Sequence, residues 1–289
     1  MASNVLNTIR TNMSSFSKGQ KRIAAYILED YDKAAFMTAG KLGRTAQVSE
    51  STVVRFAAQL GYDGYPDMQK ALQEIIRGKL TSIQRIQASG DQINNSDILG
   101  EVMQRDMHSI QSAIDRIDRG EFERVVDKLL HAHHIYLLGV RSSAFLAGYL
   151  NFYFHLIFEN VTLVQSSAAG EIYEQLVHIG PGDVLVGISF PRYSKMGVHA
   201  VQFAKDRGAE VIAITDSKMS PIYQMGSAAL LVHSDMISFV DSMATPLSLL
   251  NALIVAVGQH RREELSRIFS DMEQIWSKYS IFGKSEDEQ

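Results

Sequence analysis

From residue 121 onward, short apolar runs take turns with amphipathic stretches, and this alternation limits the possible folds more than any other feature of the chain. The runs are 135–139, 161–164, 184–188, 211–215 and 228–232, each four or five residues long and largely apolar. Runs that short and that uniform fit strands buried on both faces. Between them lie segments with helical spacing at 121–131, from Ser142, at 170–178 and at 194–207, then a short helix near Ile222 and a long one from about Met243. Strand and helix in strict turn predict a five-stranded parallel sheet flanked by helices, an α/β domain over 121–289.

The first 80 residues have a different texture and read as all-α. Ser17-Lys18-Gly19-Gln20 has the spacing of a capping box and opens a helix with Ile23, Ile27 and Leu28 on one face. Thr38 can cap a short helix running to Arg44, Ala46-Gln47-Val48 makes a tight connection, and Ser49 caps a helix over 50–60. There Val53, Phe56, Ala57 and Leu60 recur at i, i+3, i+4 and i+7 and must face inward. Gly61 stops that helix, and Gly64-Tyr65-Pro66 leads into a last one over 67–77. Residues 81–120 read as polar connecting helices around a loop at 90–97.

Two short helices, a three- or four-residue connection and a polar outer face describe a helix-turn-helix, although a small bundle with a solvated face has the same spacing. Glu50, Ser51, Thr52, Arg55 and Gln59 point outward. The hydroxyls can bond base edges or phosphates, and Arg55 can fork onto guanine. Lys18, Lys21, Arg22, Lys41 and Arg44 sit on the preceding helices, where phosphates would lie, and Ser49 would aim a helix N-terminus at one. Charge favours the DNA reading. Residues 1–80 hold 11 Lys and Arg against 7 Asp and Glu, whereas the remainder holds 17 against 25. A basic module on an acidic body meets an anionic partner through the basic module.

Val48-Ser49-Glu50-Ser51-Thr52-Val53-Val54-Arg55-Phe56, followed by Leu60-Gly61-Tyr62 and Gly64-Tyr65, resembles the N-terminal domain of the RpiR (MurR/RpiR) family of bacterial transcriptional regulators. That family couples a V-S-x-[AS]-T-V-x-R-F helix and an L-G-[FY]-x-G-[FY] continuation to a C-terminal sugar isomerase (SIS) domain. The resemblance implies a regulator, and a repressor of carbohydrate metabolism in particular. Its helix-turn-helix would meet double-stranded operator DNA through Lys18, Lys21, Arg44, Ser49, Glu50, Ser51, Thr52 and Arg55. It also implies an SIS-like, flavodoxin-like topology and a homodimer or homotetramer formed through the SIS domain. The domains expected are the helix-turn-helix at 1–80, connecting helices at 81–120 and the SIS-like domain at 121–289.

In an open parallel sheet, ligands bind beyond the C-terminal ends of the strands. Gly139-Val140-Arg141-Ser142-Ser143 follows the first strand, and Ser189-Phe190-Pro191-Arg192-Tyr193-Ser194 follows the third; each opens a helix with serines. A serine there is often a cap and nothing more, but two such loops side by side can cradle an anion. Against the SIS pattern G-x-G-x-S-x-x-x-A, Arg141 replaces a glycine. Against S-x-S-G-x-[ST], Pro191 replaces a serine and Arg192 a glycine. These departures weaken the plain phosphate cradle and add two guanidinium groups, which can grip carboxylate or phosphate with two hydrogen bonds. The expected effector is an anionic sugar derivative, a sugar phosphate or sugar acid, held by Arg141, Ser142, Ser143, Ser189, Arg192 and Ser194.

Other chemistries find little support. The chain has no cysteine, which excludes disulfides, thiol catalysis and thiolate metal sites. The apolar stretches 145–158 and 243–257 fall short of a membrane span, and the start lacks the basic and apolar regions of a secretory signal, so a cytoplasmic protein is expected. His131, His133 and His134 lack a nearby carboxylate at ligand spacing and read as an exposed helix end, so no metal is expected. Nor is any cofactor, because no P-loop or G-x-G-x-x-G run is present. Glu171, Glu174 and His178 could move protons in a sugar-phosphate isomerase, the alternative reading; a solvated helix face explains them equally well.

Overall fold

The computed structural model describes residues 5–77, 81–89, 97–165 and 169–281. They form two compact units, the first made of Met1–Glu101 with Met236–Asp241, the second of Val102–Asp235 with Ser242–Gln289. The N-terminal unit thus extends past residue 80 and takes in six residues from far along the chain.

The first unit is helical: α1 (Val5–Thr11), α2 (Lys18–Glu29), α3 (Tyr31–Ala34), α4 (Ala39–Thr45), α5 (Glu50–Gln59), α6 (Tyr65–Arg77) and α7 (Ser82–Ser89). The helix α1 is not marked by a cap in the sequence; Val5, Leu6 and Ile9 bury it against the others. The capping box forms as expected, with Ser17 Oγ accepting from Gln20 N–H and the Gln20 side chain accepting from Ser17 N–H. Thr38 caps α4 through Lys41 N–H at 3.2 Å. Ser49 has the extended backbone of an N-cap, but its hydroxyl makes no capping bond. It lies 2.9 Å from Ser51 Oγ and 2.8 Å from Thr52 Oγ1, because neighbouring hydroxyls compete with the backbone for it. Gly61 follows α5 at φ +90°, a left-handed conformation that a side chain would disfavour. Ile23, Ile27, Leu42, Val53, Phe56, Met68 and Leu72 make the core, in which Phe16 meets the Phe56 ring edge-on at 5.1 Å.

The second unit contains α8 (Ile98–Arg116), most of which lies in it, then α9 (Arg119–Leu130), β1 (Ile135–Gly139), α10 (Ser143–Ile157), β2 (Val161–Val164), α11 (Ala169–Gln175), β3 (Val184–Ile188), α12 (Lys195–Asp206), β4 (Glu210–Thr215), β5 (Ala228–Leu231), α13 (Ala244–His260) and α14 (Arg262–Tyr279). A 3₁₀ turn at Tyr223–Met225 stands where the short helix near Ile222 is expected. The loop expected at 90–97 lies, up to residue 96, outside the described residues. The five strands are parallel throughout, in the order β2-β1-β3-β4-β5, the flavodoxin-like order.

Side chains alternate across the sheet. Ile135, Leu137, Val186 and Ile214 pack beneath α9, α10 and α13, whereas Tyr136, Leu138, Leu185 and Ala213 pack against α11 and α12. A doubly covered sheet follows from that period of two. Glu121 and Arg124 of α9 reach the edge strand, accepting from Ala229 N–H at 2.8 Å and donating to Ser227 O at 2.6 Å. Lys128 donates to Glu210, and that hydrogen bond holds the Glu210 carboxyl below its ordinary range.

The long helix expected from about Met243 is α13, and a further helix, α14, follows it after a break. At Arg261 the backbone leaves helical geometry, the guanidinium donates to Ile157 O at 2.6 Å and stacks 4.9 Å over the Phe158 ring. That pair of contacts fixes the bend. Beyond it α14 buries none of its residues.

Candidate functional site

Two regions carry chemistry, one in each unit. In the first, α4, the turn at residues 46–49 and α5 form the helix-turn-helix. The turn closes with Val48 N–H donating to Gly43 O at 2.8 Å, while Gln47 takes φ +54°. Val53, Phe56 and Ala57 anchor α5 inward, so Glu50, Ser51, Arg55 and Gln59 are left exposed and Thr52 half-buried. Arg55 Nε donates to Ser51 O at 3.2 Å, which lays the guanidinium along the start of its own helix. Lys18, Lys21, Lys41 and Arg44 are all exposed on α2 and α4. The DNA-contact candidates read from the sequence therefore share one module and, the half-buried Thr52 apart, are all exposed. Ser49 is the one whose local role differs from expectation.

In the second unit, β1 pairs with β2 on one side and β3 on the other, so the connections leaving β1 and β3 diverge. A cavity of about 470 Å³ opens at the C-terminal ends of β1 and β2, lined by Leu138, Gly139, Val140, Arg141, Ala144, Val164, Gln165, Glu171, Ile172 and Met196. Apolar floor and few polar groups are the usual make-up of a small-molecule site. Among the described residues its charged groups are Arg141 and Glu171.

The loop over this cavity is tightly constrained. A Cβ on Gly139 would lie 2.2 Å from Ser143 O, so only glycine allows the chain to turn back on itself there. Arg141 takes φ +61°, a left-handed conformation that costs a side-chain-bearing residue about 1–2 kcal/mol. The SIS pattern has glycine at this position. Non-glycine residues held in that region cluster at functional sites.

The structure brings only Arg141 of the six ligand candidates into the cavity wall. Ser142 is exposed at the head of α10 without a side-chain capping bond. Ser143 is 4% exposed and packed into the helix start. In the second loop Ser194 caps α12 through Gly197 N–H at 3.5 Å, Ser189 O accepts from Thr215 Oγ1 at 2.6 Å, and Arg192 is exposed. Tyr193 ties this loop to Asp216 at 2.9 Å. Gln165 and Met196 line the cavity although nothing in the sequence singles them out, and Glu171, which the sequence offers only as a proton-transfer group of the isomerase alternative, lies in its wall as well. Gln175 holds Gln165 in place, accepting from its N–H at 3.0 Å and donating to its carbonyl at 2.6 Å. Spacing in the sequence carries no signal for that fold-back.

The histidines before β1 are separated. His134 Nε2 lies 2.8 Å from Thr162 Oγ1, its ring stacks 4.5 Å from Tyr136, and burial pushes its pKa below the ordinary range. His131 sits at the exposed end of α9. No helix among the described residues is long and apolar enough to cross a membrane.

Comparison with known proteins agrees with this two-part architecture. Residues 3–78 match the model for the helix-turn-helix domain of the rpiR family, and residues 128–256 match the SIS domain. An uncharacterised HTH-type transcriptional regulator of Caldanaerobacter subterraneus is 24% identical over 96% of this chain and 98% of that protein. The HTH-type transcriptional regulator HexR of Escherichia coli is 27% identical, over 74% of this chain and 73% of HexR. Among solved structures, Vibrio vulnificus NanR complexed with ManNAc-6P covers 97% of this chain and all of its own at TM-score 0.58 and 23% identity. The sugar isomerase domain of an RpiR transcription factor from Sphaerobacter thermophilus covers 62% of this chain and 99% of its own, at TM-score 0.59 and 20% identity. The chain thus carries an rpiR-family helix-turn-helix domain before a SIS domain, the arrangement of an HTH-type transcriptional regulator, and its curated relatives bear that name.

Proposed function

We propose that this regulator is a cytoplasmic repressor that binds operator DNA through α5 and senses a phosphorylated sugar or sugar acid in the cavity beside Arg141. One observation carries the reading: a single chain presents an outward polar helix face in a basic module and a separate, largely apolar cavity with a guanidinium in its wall. The relatives are named transcriptional regulators, and NanR was solved with a sugar phosphate, which supports the same class of effector here. A second copy is part of the reading. One helix-turn-helix makes few base contacts, so two half-sites raise specificity. The helices α10 and α13 are apolar nearly all round yet expose Phe145 at 82%, Phe152 at 66% and Val255 at 61%, which is the texture of a face covered by another subunit.

The DNA half of the proposal is tested by gel-shift titration. Arg55→Ala should leave folding intact and cost about 1–3 kcal/mol of specific binding. Lys21→Ala should weaken all sequences alike and reduce the salt slope by about 1. Operator binding by the Arg55 variant as tight as that of wild type would show that α5 does not read the bases.

The enzyme alternative makes a separate demand. Among the described residues Glu171 is the carboxylate in the cavity wall, and it would have to serve as the base of an aldose–ketose isomerisation. As a regulator, the purified protein should interconvert no sugar phosphates above background when product is followed by NMR. Turnover at about 1 per second or faster would overturn the non-enzymatic reading.

A further inference from the structure

The N-terminal unit is not a continuous stretch of chain. Residues 236–241 complete it, although in sequence they lie between β5 and α13 of the sheet unit. This segment is a small hairpin in which Met236 and Asp241 pair as an antiparallel bridge, and Ile237 N–H donates to Val240 O at 3.1 Å. Two anchors hold it. Met236 packs against the hydrophobic core of the helical unit, and the Asp241 carboxylate accepts from Arg85 Nη1 of α7 at 2.8 Å. That ion pair is buried, with the two side chains 5% and 13% exposed. A buried pair is costly to break from one side, because the remaining charge stays out of water. At the hairpin tip Phe239 and Val240 are exposed.

Both ends of the hairpin run straight into the sheet unit. Ser242 N–H donates to Asp235 O at 2.7 Å and closes its base, and the Ser242 hydroxyl donates to Asp106 of α8 at 2.5 Å. Two residues later α13 begins, and α13 packs along α10, where Tyr149 donates to Asn251 at 2.5 Å. The first turn of α10 contributes Ala144 to the cavity wall. A parallel sheet puts the C-terminal ends of all its strands on one edge, so the hairpin leaves β5 from the edge on which the cavity opens.

We propose that residues 236–241 are a strap through which the helical DNA-reading unit and the ligand-sensing unit bias one another, with Arg85–Asp241 and Met236 as its fastening. The strap is a short covalent link pinned into one unit and continuous in the other with α13, which packs against α10, the helix whose first turn lines the cavity. It rests on the regulator reading for what it transmits, but not for how it is fastened. Coupling is reciprocal, so DNA bound at α5 must be felt at the start of α13 as surely as a ligand would be felt at α5.

Hydrogen exchange on the full-length protein tests this without knowledge of operator or effector. The probe is a mixed-sequence duplex of about 30 base pairs at low salt, where phosphate contacts alone give binding. In the wild type the duplex should slow exchange in α5 and, about fivefold or more, at residues 237–247. In Asp241→Asn and in Met236→Ala the α5 effect should remain and the effect at 242–247 should vanish. Protection of α5 with no change at 237–247 in the wild type would overturn the strap, as would an undiminished effect in both variants. If α5 itself is unaffected by duplex, it is the DNA reading that fails. The fastening is then judged by denaturation of the protein alone, in which the wild type should unfold in one transition and Asp241→Asn in two. Two transitions in the wild type would overturn it.

Discussion

Replacing Phe56 with alanine is expected to destabilise the N-terminal unit by about 3–5 kcal/mol, the usual cost of deleting a buried aromatic ring. The ring is fully buried and meets Phe16 edge-on, at the point where α5 sits on the rest of the bundle. With the whole chain unfolding in one transition, that corresponds to a fall in melting temperature of about 6 °C or more. DNA binding should disappear with the fold, which separates this variant from Arg55→Ala, an exposed change expected to move stability by less than about 0.5 kcal/mol. Denaturation followed by circular dichroism distinguishes the two. A Phe56→Ala protein as stable as wild type would mean that α5 is not seated on this core.

Arg141→Gly is expected to move stability and binding in opposite directions. The left-handed backbone at Arg141 costs about 1–2 kcal/mol, and glycine removes that cost while adding about 0.5–1 kcal/mol of unfolded-state entropy. The unliganded variant should therefore melt at the wild-type temperature or slightly above. The loop keeps its path, because the close approach of Gly139 to Ser143 is untouched. Loss of a charged hydrogen-bond donor, however, should weaken the effector by about 1.5–3 kcal/mol, or roughly 10- to 150-fold. A thermal-shift screen of sugar phosphates and sugar acids identifies the ligand, and calorimetry on both proteins measures the difference. Undiminished affinity in the variant would move the anion site away from β1.

The architecture was legible in the sequence because its signals are local. Five apolar runs announced five strands, and Ser17, Thr38 and Ser194 cap the helices that their spacing implies. The outward polar face of α5 followed from helical periodicity, which fixes what is inside and so what is left outside. The cavity was less legible. Arg141 stood out as a departure from the SIS pattern, but its left-handed backbone is a property of the folded loop. Glu171 and Gln165 reach the cavity because α11 folds back beside β2, a placement that depends on tertiary packing. Ser143 is expected from its place at a helix start to hold the ligand, yet in the tight turn after Gly139 it is buried. The fastening of Asp241 to Arg85 spans 156 positions of sequence, a separation at which no periodicity operates.

The discontinuous N-terminal unit also constrains how such a chain can be cut or recombined. Two family modules laid end to end look interchangeable, like beads whose order and identity can be shuffled between genes. Here the reading head borrows six residues from inside the sensor's own sequence. A fragment ending at residue 101 would strip Arg85 of the Asp241 carboxylate and leave the helical core without Met236. A chimera that grafts this head onto a foreign sensor inherits the same deficit unless residues 236–241 travel with it. A change at Arg85 is therefore felt at a hairpin that lies, by sequence alone, in the other module.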